Sequence, residues 1–354
     1  MMPSRPFLFL PLLASLLLAQ ESSDQVFRTG VNVVVAPTVV MTKEGDFVSG
    51  LQPKDFELVD NGKPQDIKVD VTYVPISMVV AIQANSEAEP VLDQIKKIGP
   101  LFRGLVAGDQ GEVALLAFDH RVQTLQDFTS DTEKLEIALQ KLRPGSMSSR
   151  MTDAVVAASR MLRSRPKDRR RVLLLISETR DVGSEAKIRE ALTDLQFDNV
   201  VVYSVNMSRL VNTLLSKPQP PRPSAIPVTA QPLPAGVPPT PSNAEQVYGI
   251  PGRNAGNVIP AIVEIFRQVK AIFVDNPIEV YTKFTGGKET AFVKQKDLER
   301  AIADIGNELH SEYLISYVPN NREEGGFHEI QVTVDRPGVK IRTRPGYWVA
   351  SQPQ

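Results

Sequence analysis

Two hydrophobic patterns alternate along the middle of the chain. Mainly apolar runs of strand length occur at 77–82, 112–118, 172–177 and 200–205. Between and around them, apolar residues recur at helical spacing at 91–102, 131–142, 151–163 and 184–196. Strands that are buried on both faces have such continuous apolar runs. The alternation predicts an α/β fold with a mostly parallel, doubly wound, Rossmann-like sheet that carries helices on both faces.

The two ends of the chain show a different, β-rich pattern. Residues 24–74 contain apolar runs of strand length and the dipeptide Asn61-Gly62, which favours a tight hairpin. We therefore predict an N-terminal β region at 24–74, an α/β domain at 75–318 and a C-terminal β-hairpin at 319–350. The hairpin is expected to turn at Arg336-Pro337-Gly338 and to pack against the N-terminal region.

One stretch interrupts the α/β domain. Ten prolines lie between positions 218 and 241, without the apolar periodicity that would offset the entropy of ordering the chain. We interpret residues 213–257 as an exposed Pro-rich insertion, followed by predicted helices at 258–273 and 295–310.

The first 19 residues have the pattern of an export signal. Arg5 precedes an apolar run from Phe7 to Leu18, and Ala19 offers a small residue at the cleavage point. The run is shorter than a membrane-spanning helix requires, so a signal peptide is favoured over an uncleaved anchor. We expect an exported protein, periplasmic or secreted, with no membrane span after cleavage.

Composition removes several classes of chemistry. The chain has no cysteine, which excludes disulfides, thiolate metal sites and a cysteine nucleophile. Its net charge of -1 provides no overall field for nucleic acid, and no nucleic-acid partner is expected. The three histidines, His120, His310 and His328, form no nucleophile–base–orienter set in the sequence. We therefore predict that the protein is not an enzyme.

Several segments together resemble the von Willebrand factor A-related family of exported bacterial proteins. The resemblance rests on PISMVVAIQANSEA, AFDHRVQTLQDFTSD, TDAVVAA, VLLLISETRD and ELHSEYLISYVP, and also on GLQPKDFELVDNGKPQ and RPGVKIRTRPGYW. It implies a von Willebrand factor A-type sheet flanked by β-strands from both chain ends. It also implies a metal-ion-dependent adhesion site built from three loops at the carboxyl ends of the strands.

The five positions that match the family's metal ligands all carry a different residue in this chain. They are Gln83 for Asp, Asn85 and Glu87 for two Ser, Ser149 for Thr, and Glu178 for Asp. All five keep an oxygen atom, but Mg²⁺ demands near-ideal octahedral geometry, which such exchanges disturb. We expect a degenerate, empty site that ordinary hydrogen bonds hold, and no cofactor. If a cation binds, Ca²⁺ is favoured over Mg²⁺ because its ligand shell is more flexible.

The resulting functional hypothesis is a metal-independent protein-binding or scaffold module. Its partner is expected to be a protein or an envelope component, bound at the loops around Ser86, Ser148 and Thr179. Two alternatives remain open. One is a hydrolase that uses Glu87 and Glu178 as an acid/base pair, and the other is a purely structural envelope protein.

Overall fold

The computed structural model describes residues 33–70, 74–102, 111–207, 276–292 and 294–349. The predicted signal peptide (1–19), the Pro-rich insertion (213–257) and the predicted helix at 258–273 lie outside these residues. Within the described ranges, no helix combines the length and the apolar composition that a membrane crossing requires.

The described residues form a series of strands and helices, which we number in chain order. The strands are β1 (Val34–Met41), β2 (Phe56–Asp60), β3 (Lys63–Pro64), β4 (Ile67–Asp70), β5 (Ile76–Gln83), β6 (Glu112–Phe118), β7 (Val122–Thr129), β8 (Arg170–Ser177), β9 (Val200–Met207), β10 (Glu289–Phe292), β11 (Tyr313–Tyr317), β12 (Gly326–Val334), β13 (Lys340–Arg342) and β14 (Gly346–Val349). The helices are α1 (Glu89–Ile95), α2 (Thr132–Gln140), α3 (Met151–Arg163), α4 (Ile188–Phe197), α5 (Pro277–Thr285) and α6 (Gln295–Ser311).

The central sheet has six strands in the order β10-β9-β8-β5-β6-β7. All neighbours are parallel except β6 and β7. Alternate side chains of β5 point to opposite faces, so Met78 and Val80 pack with α1, α2 and α6, whereas Val79 and Ala81 pack with α3, α4 and α5. Helices therefore cover both faces, which confirms the predicted doubly wound α/β fold.

Carboxylates that accept backbone N–H groups influence where two of the helices begin. Asp131 precedes α2, and its Oδ1 accepts hydrogen bonds from the backbone N–H groups of Glu133 at 3.0 Å and Lys134 at 3.4 Å. Helix α4 begins at Ile188, four residues later than the pattern predicts. The delay has a local cause, because the backbone N–H groups of Glu185 and Ala186 donate to the Asp153 carboxylate and are held out of the helix.

The two ends of the chain combine in a flanking β unit. Its two antiparallel sheets have the orders β13-β1-β11-β4 and β14-β12-β2-β3. They share one apolar core, to which Val40, Phe56, Ile315 and Ile330 contribute. The prediction of a flanking β region built from both termini is confirmed.

The C-terminal strands pair differently from the single hairpin that the sequence predicts. Gly326–Glu329 pairs with Gly346–Val349, but Lys340–Arg342 pairs with Val39–Met41 in the other sheet. The second half of β1 extends beyond its pairing with β11, and β13 satisfies the backbone groups that it leaves open. Strand β11, predicted as the last part of the α/β domain, also lies in the flanking unit, between β1 and β4.

A buried carboxylate joins the two flanking sheets. The Oδ1 atom of Asp60 accepts from His328 Nδ1 at 2.7 Å and from Asn321 Nδ2 at 3.0 Å, and its Oδ2 accepts from the hydroxyls of Tyr317 and Tyr347 at 2.9 and 2.8 Å. Burial and the neighbouring Asp60 charge raise the pKa of both phenols, which keeps them protonated as donors. His328 therefore has a structural role in this network.

Six basic residues lie close together between the end of α3 and the start of β8, from Arg163 to Arg171. Several members of this basic run form internal ion pairs. Arg165 donates to both carboxylate oxygens of Glu112, each at 2.7 Å, and Arg163 Nε lies 2.7 Å from Asp198 Oδ2. The buried Arg170 pairs with Glu312. These contacts make the run part of the internal scaffold.

Candidate functional site

Three loops meet at the carboxyl edge of the central sheet. The first loop (84–88) follows β5, the second (141–150) precedes α3, and the third (178–187) follows β8. In open α/β sheets, ligands bind in the crevice beyond the carboxyl ends of the strands. We refer to these three loops together as the loop edge.

Two side-chain amides link the three loops. Gln83, buried at the end of β5, accepts a hydrogen bond on Oε1 from the backbone N–H of Glu178 at 2.8 Å. Its Nε2 donates to Asn85 Oδ1 at 2.9 Å, and Asn85 Nδ2 donates to the carbonyl of Met147 at 3.3 Å. This chain of bonds runs from the third loop through the first to the second, and we call it the amide bridge.

Backbone hydrogen bonds reinforce the same contacts. Ser86 N donates to Ser146 O at 2.8 Å, which joins the first and second loops. Ser149 and Val182 exchange two backbone bonds of 3.0 and 2.8 Å, which join the second and third loops. The hydroxyl of Ser149 is buried and has no hydrogen-bond partner among the described residues.

The structure separates the two glutamates of the predicted site. Glu178 is buried at the end of β8, whereas Glu87 is exposed on the first loop. Of the five predicted positions, Gln83, Asn85 and the backbone of Glu178 come together directly through the amide bridge. Ser149 lies in the second loop, which the bridge also reaches, and Glu87 points to the surface of the first.

The five predicted site positions do not include Asp119, which also acts at this edge. Asp119 follows β6, and its carboxylate accepts from the backbone N–H groups of Ser146 and Arg121, each at 3.0 Å, and from His120 Nδ1 at 2.9 Å. Burial raises the pKa of Asp119, but these hydrogen bonds outweigh that effect and leave its pKa below the usual value. A carboxylate placed directly after a buried strand is the signal that points to such a role.

The Asp119–His120–Ser146 cluster does not have the geometry of a catalytic triad. His120 Nδ1 lies 2.9 Å from Asp119 Oδ2 and 3.1 Å from Ser146 Oγ, so both partners contact the same ring nitrogen. Proton transfer from a serine to a histidine that a carboxylate orients requires both ring nitrogens. The cluster therefore orders the turn after β6 and the second loop.

Sequence reasoning also missed Asp181, which docks the third loop on the start of α3. Its Oδ2 accepts from Thr152 N at 3.0 Å and from the Thr152 hydroxyl. That hydroxyl in turn accepts from Tyr281 OH of α5 at 3.0 Å. A carboxylate at a helix N-terminus satisfies backbone N–H groups that have no partner within the helix. The third loop is thereby fixed to two helices.

The residues at the loop edge do not fit a hard divalent cation. Among the described residues, no group of three or more histidine, aspartate and glutamate side chains is placed to hold a metal ion. Gln83 Oε1 and Asn85 Oδ1 already accept N–H donors, and the amide of Gln83 carries no charge. A cation that prefers charged oxygen ligands therefore lacks its central carboxylate here.

Two large apolar side chains are exposed on the loop edge. Met147 of the second loop and Val182 of the third are 45% and 46% exposed. Val182 forms the backbone bridge with Ser149, and Met147 lies two residues before Ser149 in the sequence. The contacts described above hold the backbone of both loops.

The comparison with known families agrees with this fold. A family model described as the von Willebrand factor type A domain matches residues 82–180, which span β5, the loop edge and β8. This match covers residues 82–180 only, and over them it supports the resemblance to the von Willebrand factor A-related family. A search of curated proteins found no match.

Solved structures that align with parts of this chain come from different organisms. An aerotolerance-related membrane protein of Bacteroides fragilis is 13% identical, with a TM-score of 0.39, over 66% of this chain and 98% of its own. BatB of Bacteroides thetaiotaomicron is 14% identical, with a TM-score of 0.38, over 66% and 99%. Proximal thread matrix protein 1 of the mussel byssus, with zinc in its adhesion-site motif, is 11% identical, with a TM-score of 0.40, over 70% and 49%.

Proposed function

We propose that this protein is an exported, non-enzymatic module of von Willebrand factor A type that binds another protein or an envelope component through the loop edge, without a metal ion. The observation that carries the proposal is the exposure of Met147 and Val182 on loops that are otherwise tied down. Full burial of an apolar side chain contributes about 1.5–3 kcal/mol. A partner that covers both side chains would therefore gain favourable binding free energy from each.

The order of the loops supports binding at this edge. The amide bridge and the backbone bonds between the loops hold the face in one arrangement before a partner arrives. A pre-organised surface loses less conformational entropy on association, which favours affinity. The proposed binding face consists of the loops around Ser86, Ser148 and Thr179.

The charge at the centre of the site supports metal independence. Gln83 is neutral and already bonded on both sides of its amide, so capture of a partner carboxylate through a bound cation has no support from these residues. The partner is instead expected to bind equally well in the presence and absence of a chelator.

A non-enzymatic role is supported by the placement of the acidic residues. Glu87 is exposed and Glu178 is buried. An acid/base pair needs two carboxyl groups that face one cleft. No observation on the described residues favours the hydrolase alternative over binding.

The test compares two double variants of the full chain in capture and cross-linking experiments with an envelope extract, each in EDTA and in Mg²⁺. Met147→Glu/Val182→Glu changes the loop edge. Ile137→Glu/Val318→Glu changes two apolar side chains of similar exposure elsewhere on the surface. We expect the loop-edge variant to lose at least about tenfold in captured partner, which corresponds to 1.4 kcal/mol, and the control to behave as wild type.

Two results would contradict the proposal. Equal capture by both variants would show that the loop edge does not contact the partner, and would favour a purely structural role. Loss of wild-type capture in EDTA would show that a cation takes part in binding.

A further inference from the structure

A cleft opens on the flanking unit, where β3 meets the segment that joins β11 to β12. It is lined by Lys63 of β3 and by residues 319–324 of the connecting segment, and its volume is about 440 Å³. Pockets that hold small molecules have volumes of about 300–1,000 Å³. The cleft shares no residue with the loop edge, and we call it the flank cleft.

Hydrogen bonds hold the connecting segment in place beside β3. Asn320 N donates to Gln65 Oε1 at 3.0 Å, and Gln65 Nε2 donates to Asn320 Oδ1 at 2.7 Å. Asn320 Nδ2 also donates to the carbonyl of Pro64 at 3.0 Å. The wall of the flank cleft is therefore ordered before a ligand arrives, which lowers the entropic cost of binding.

One lining residue carries a buried oxygen that has no hydrogen-bond partner among the described residues. Asn321 is 4% exposed, and its Nδ2 donates to the backbone carbonyl of Asp60 at 3.1 Å and to Asp60 Oδ1 at 3.0 Å. These two acceptors fix the orientation of the amide, because the reverse orientation would place an oxygen against them. Asn321 Oδ1 is left unpaired. Since buried polar atoms are nearly always paired, this oxygen points to a ligand with an N–H or O–H donor.

A second lining residue carries a positive charge that no carboxylate of the described residues neutralises. Arg322 Nε donates to the carbonyl of Pro319 at 3.3 Å, which leaves its terminal nitrogens available. Lys63, by contrast, lies 2.6 Å from Glu324 Oε1, and hydrogen bonds from Lys63 and Asn61 hold the pKa of Glu324 below its usual value. A planar guanidinium binds a carboxylate with two parallel hydrogen bonds, so Arg322 points to a carboxylate in the ligand.

We propose that the flank cleft binds a small carboxylate with an N–H donor on the next carbon, the –NH–CHR–COO⁻ group, whose carboxylate pairs with Arg322 and whose N–H donates to Asn321 Oδ1. The two protein groups belong to consecutive residues, so they suit a ligand whose charge and donor are also close together. Free amino acids and the C-terminal ends of peptides share this group. The site lies outside the loop edge, so the inference goes beyond the proposed binding there and does not depend on it.

The experiment titrates four small molecules into the full chain and follows binding by saturation-transfer NMR. Alanine carries both recognition groups, and N-acetylalanine carries them as a peptide C-terminus does, without the ammonium charge. Alaninamide lacks the carboxylate and propionate lacks the N–H. We expect these two to bind at least about tenfold more weakly than the better of the first two, because each loses one contact. Tighter binding of alanine identifies a free amino acid as the ligand, and tighter binding of N-acetylalanine identifies a peptide C-terminus.

Two arginine variants test the position of the site. Arg322→Gln removes the free charge of the flank cleft and should weaken binding at least about tenfold. Arg336→Gln is the matched control, since Arg336 is exposed in the same flanking unit but lies beyond the other end of β12. It should bind as wild type does.

Three results overturn the inference. The first is the absence of saturable binding of both alanine and N-acetylalanine to wild type. The second is equal binding by wild type and Arg322→Gln, which would place the ligand elsewhere. The third is binding of propionate as tight as that of N-acetylalanine, which would remove the role of Asn321 Oδ1. Partner capture by the loop-edge variants is a separate measurement, so its failure leaves these results unchanged.

Discussion

At the scale of single residues, the loop edge depends on carboxylates that act as acceptors. Asp119 is the clearest case, because it accepts two backbone N–H groups and His120 from a nearly buried position. Its pKa lies below the usual value, so the ionised form is more stable in the folded than in the unfolded protein. The stabilisation is therefore present above the pKa of the unfolded chain, about 3.9, and is lost as the pH falls through the lower folded value.

Asp119→Asn should lower the free energy of unfolding by about 1–3 kcal/mol at neutral pH. The substitution replaces one acceptor oxygen by an NH2 group, so an N–H donor that faced this oxygen loses its acceptor. The difference from wild type should shrink as the pH falls below about 3.9. Urea unfolding of wild type and variant at neutral pH and at about pH 3 measures the difference in stability at each pH. Asp93→Asn is the control, since Asp93 is exposed and pairs only at the surface with Lys96, and it should change stability by less than about 0.5 kcal/mol. An equal loss for Asp119→Asn at both pH values would contradict the assignment.

At the scale of elements, close backbone approach fixes how β10 joins the central sheet. Gly287 lies between α5 and β10, and a Cβ atom there would lie 1.9 Å from the carbonyl oxygen of Val202 in β9. The neighbouring Lys288 O accepts from Ser204 N at 2.9 Å, which begins the pairing of β9 and β10. The glycine is required here by space, since the atom that it approaches belongs to the backbone and cannot turn aside.

Gly287→Ala should push β10 away from β9 and cost about 1–3 kcal/mol or more, as overpacking of a tight contact does. Hydrogen exchange is the sharper readout, because protection should fall at Ser204 while α2 keeps its protection. Gly45→Ala serves as the comparison, since its φ of +103° strains an alanine but nothing lies within 4 Å of the new Cβ. That variant should leave exchange in β10 unchanged. Normal protection at Ser204 in Gly287→Ala would rule out the steric explanation.

At the scale of the whole molecule, buried ion pairs connect the central sheet with the flanking unit. Arg170 at the start of β8 pairs with Glu312, which directly precedes β11, and Arg342 of β13 pairs with Glu308 of α6. Burial lowers the pKa of Arg170, which the charge of Glu308 partly offsets. Each arginine therefore has a carboxylate from another element as its counter-charge.

Glu312→Gln should destabilise the protein by about 3–5 kcal/mol, because it leaves the Arg170 charge buried without its partner. The double variant Arg170→Met/Glu312→Leu should lose less stability than the two single variants, Arg170→Met and Glu312→Leu, lose in total. In the double variant neither charge remains buried without its partner. A double-mutant cycle from urea unfolding measures this coupling. As a control, Glu324→Gln breaks the surface pair with Lys63 and should leave the stability close to that of wild type. Strict additivity in the cycle would show that the pair does not couple the two units.

Local patterns of apolar residues specify the kinds of element and their order. Burial is encoded locally, because a strand that is covered on both faces needs an apolar run and a helix that faces a sheet needs an apolar stripe. The α/β alternation, the β-rich ends and the Asn61-Gly62 hairpin followed from these patterns. The choice of Gln83, Asn85 and Glu178 as candidate site residues came from the family resemblance, and the structure places them at or just after the ends of β5 and β8.

Which distant groups meet depends on the packing of the folded chain. Strand β13 leaves its predicted hairpin because it pairs with β1, which lies near the other end of the described chain. The second half of β1 has backbone N–H and C=O groups that need partners. Glu87 and Glu178 differ in burial, and Gln83 shares a hydrogen bond with Asn85, because packing of the loops sets the direction of each side chain. Hydrogen-bond partners across such separations depend on three-dimensional position, which local hydrophobic periodicity does not contain.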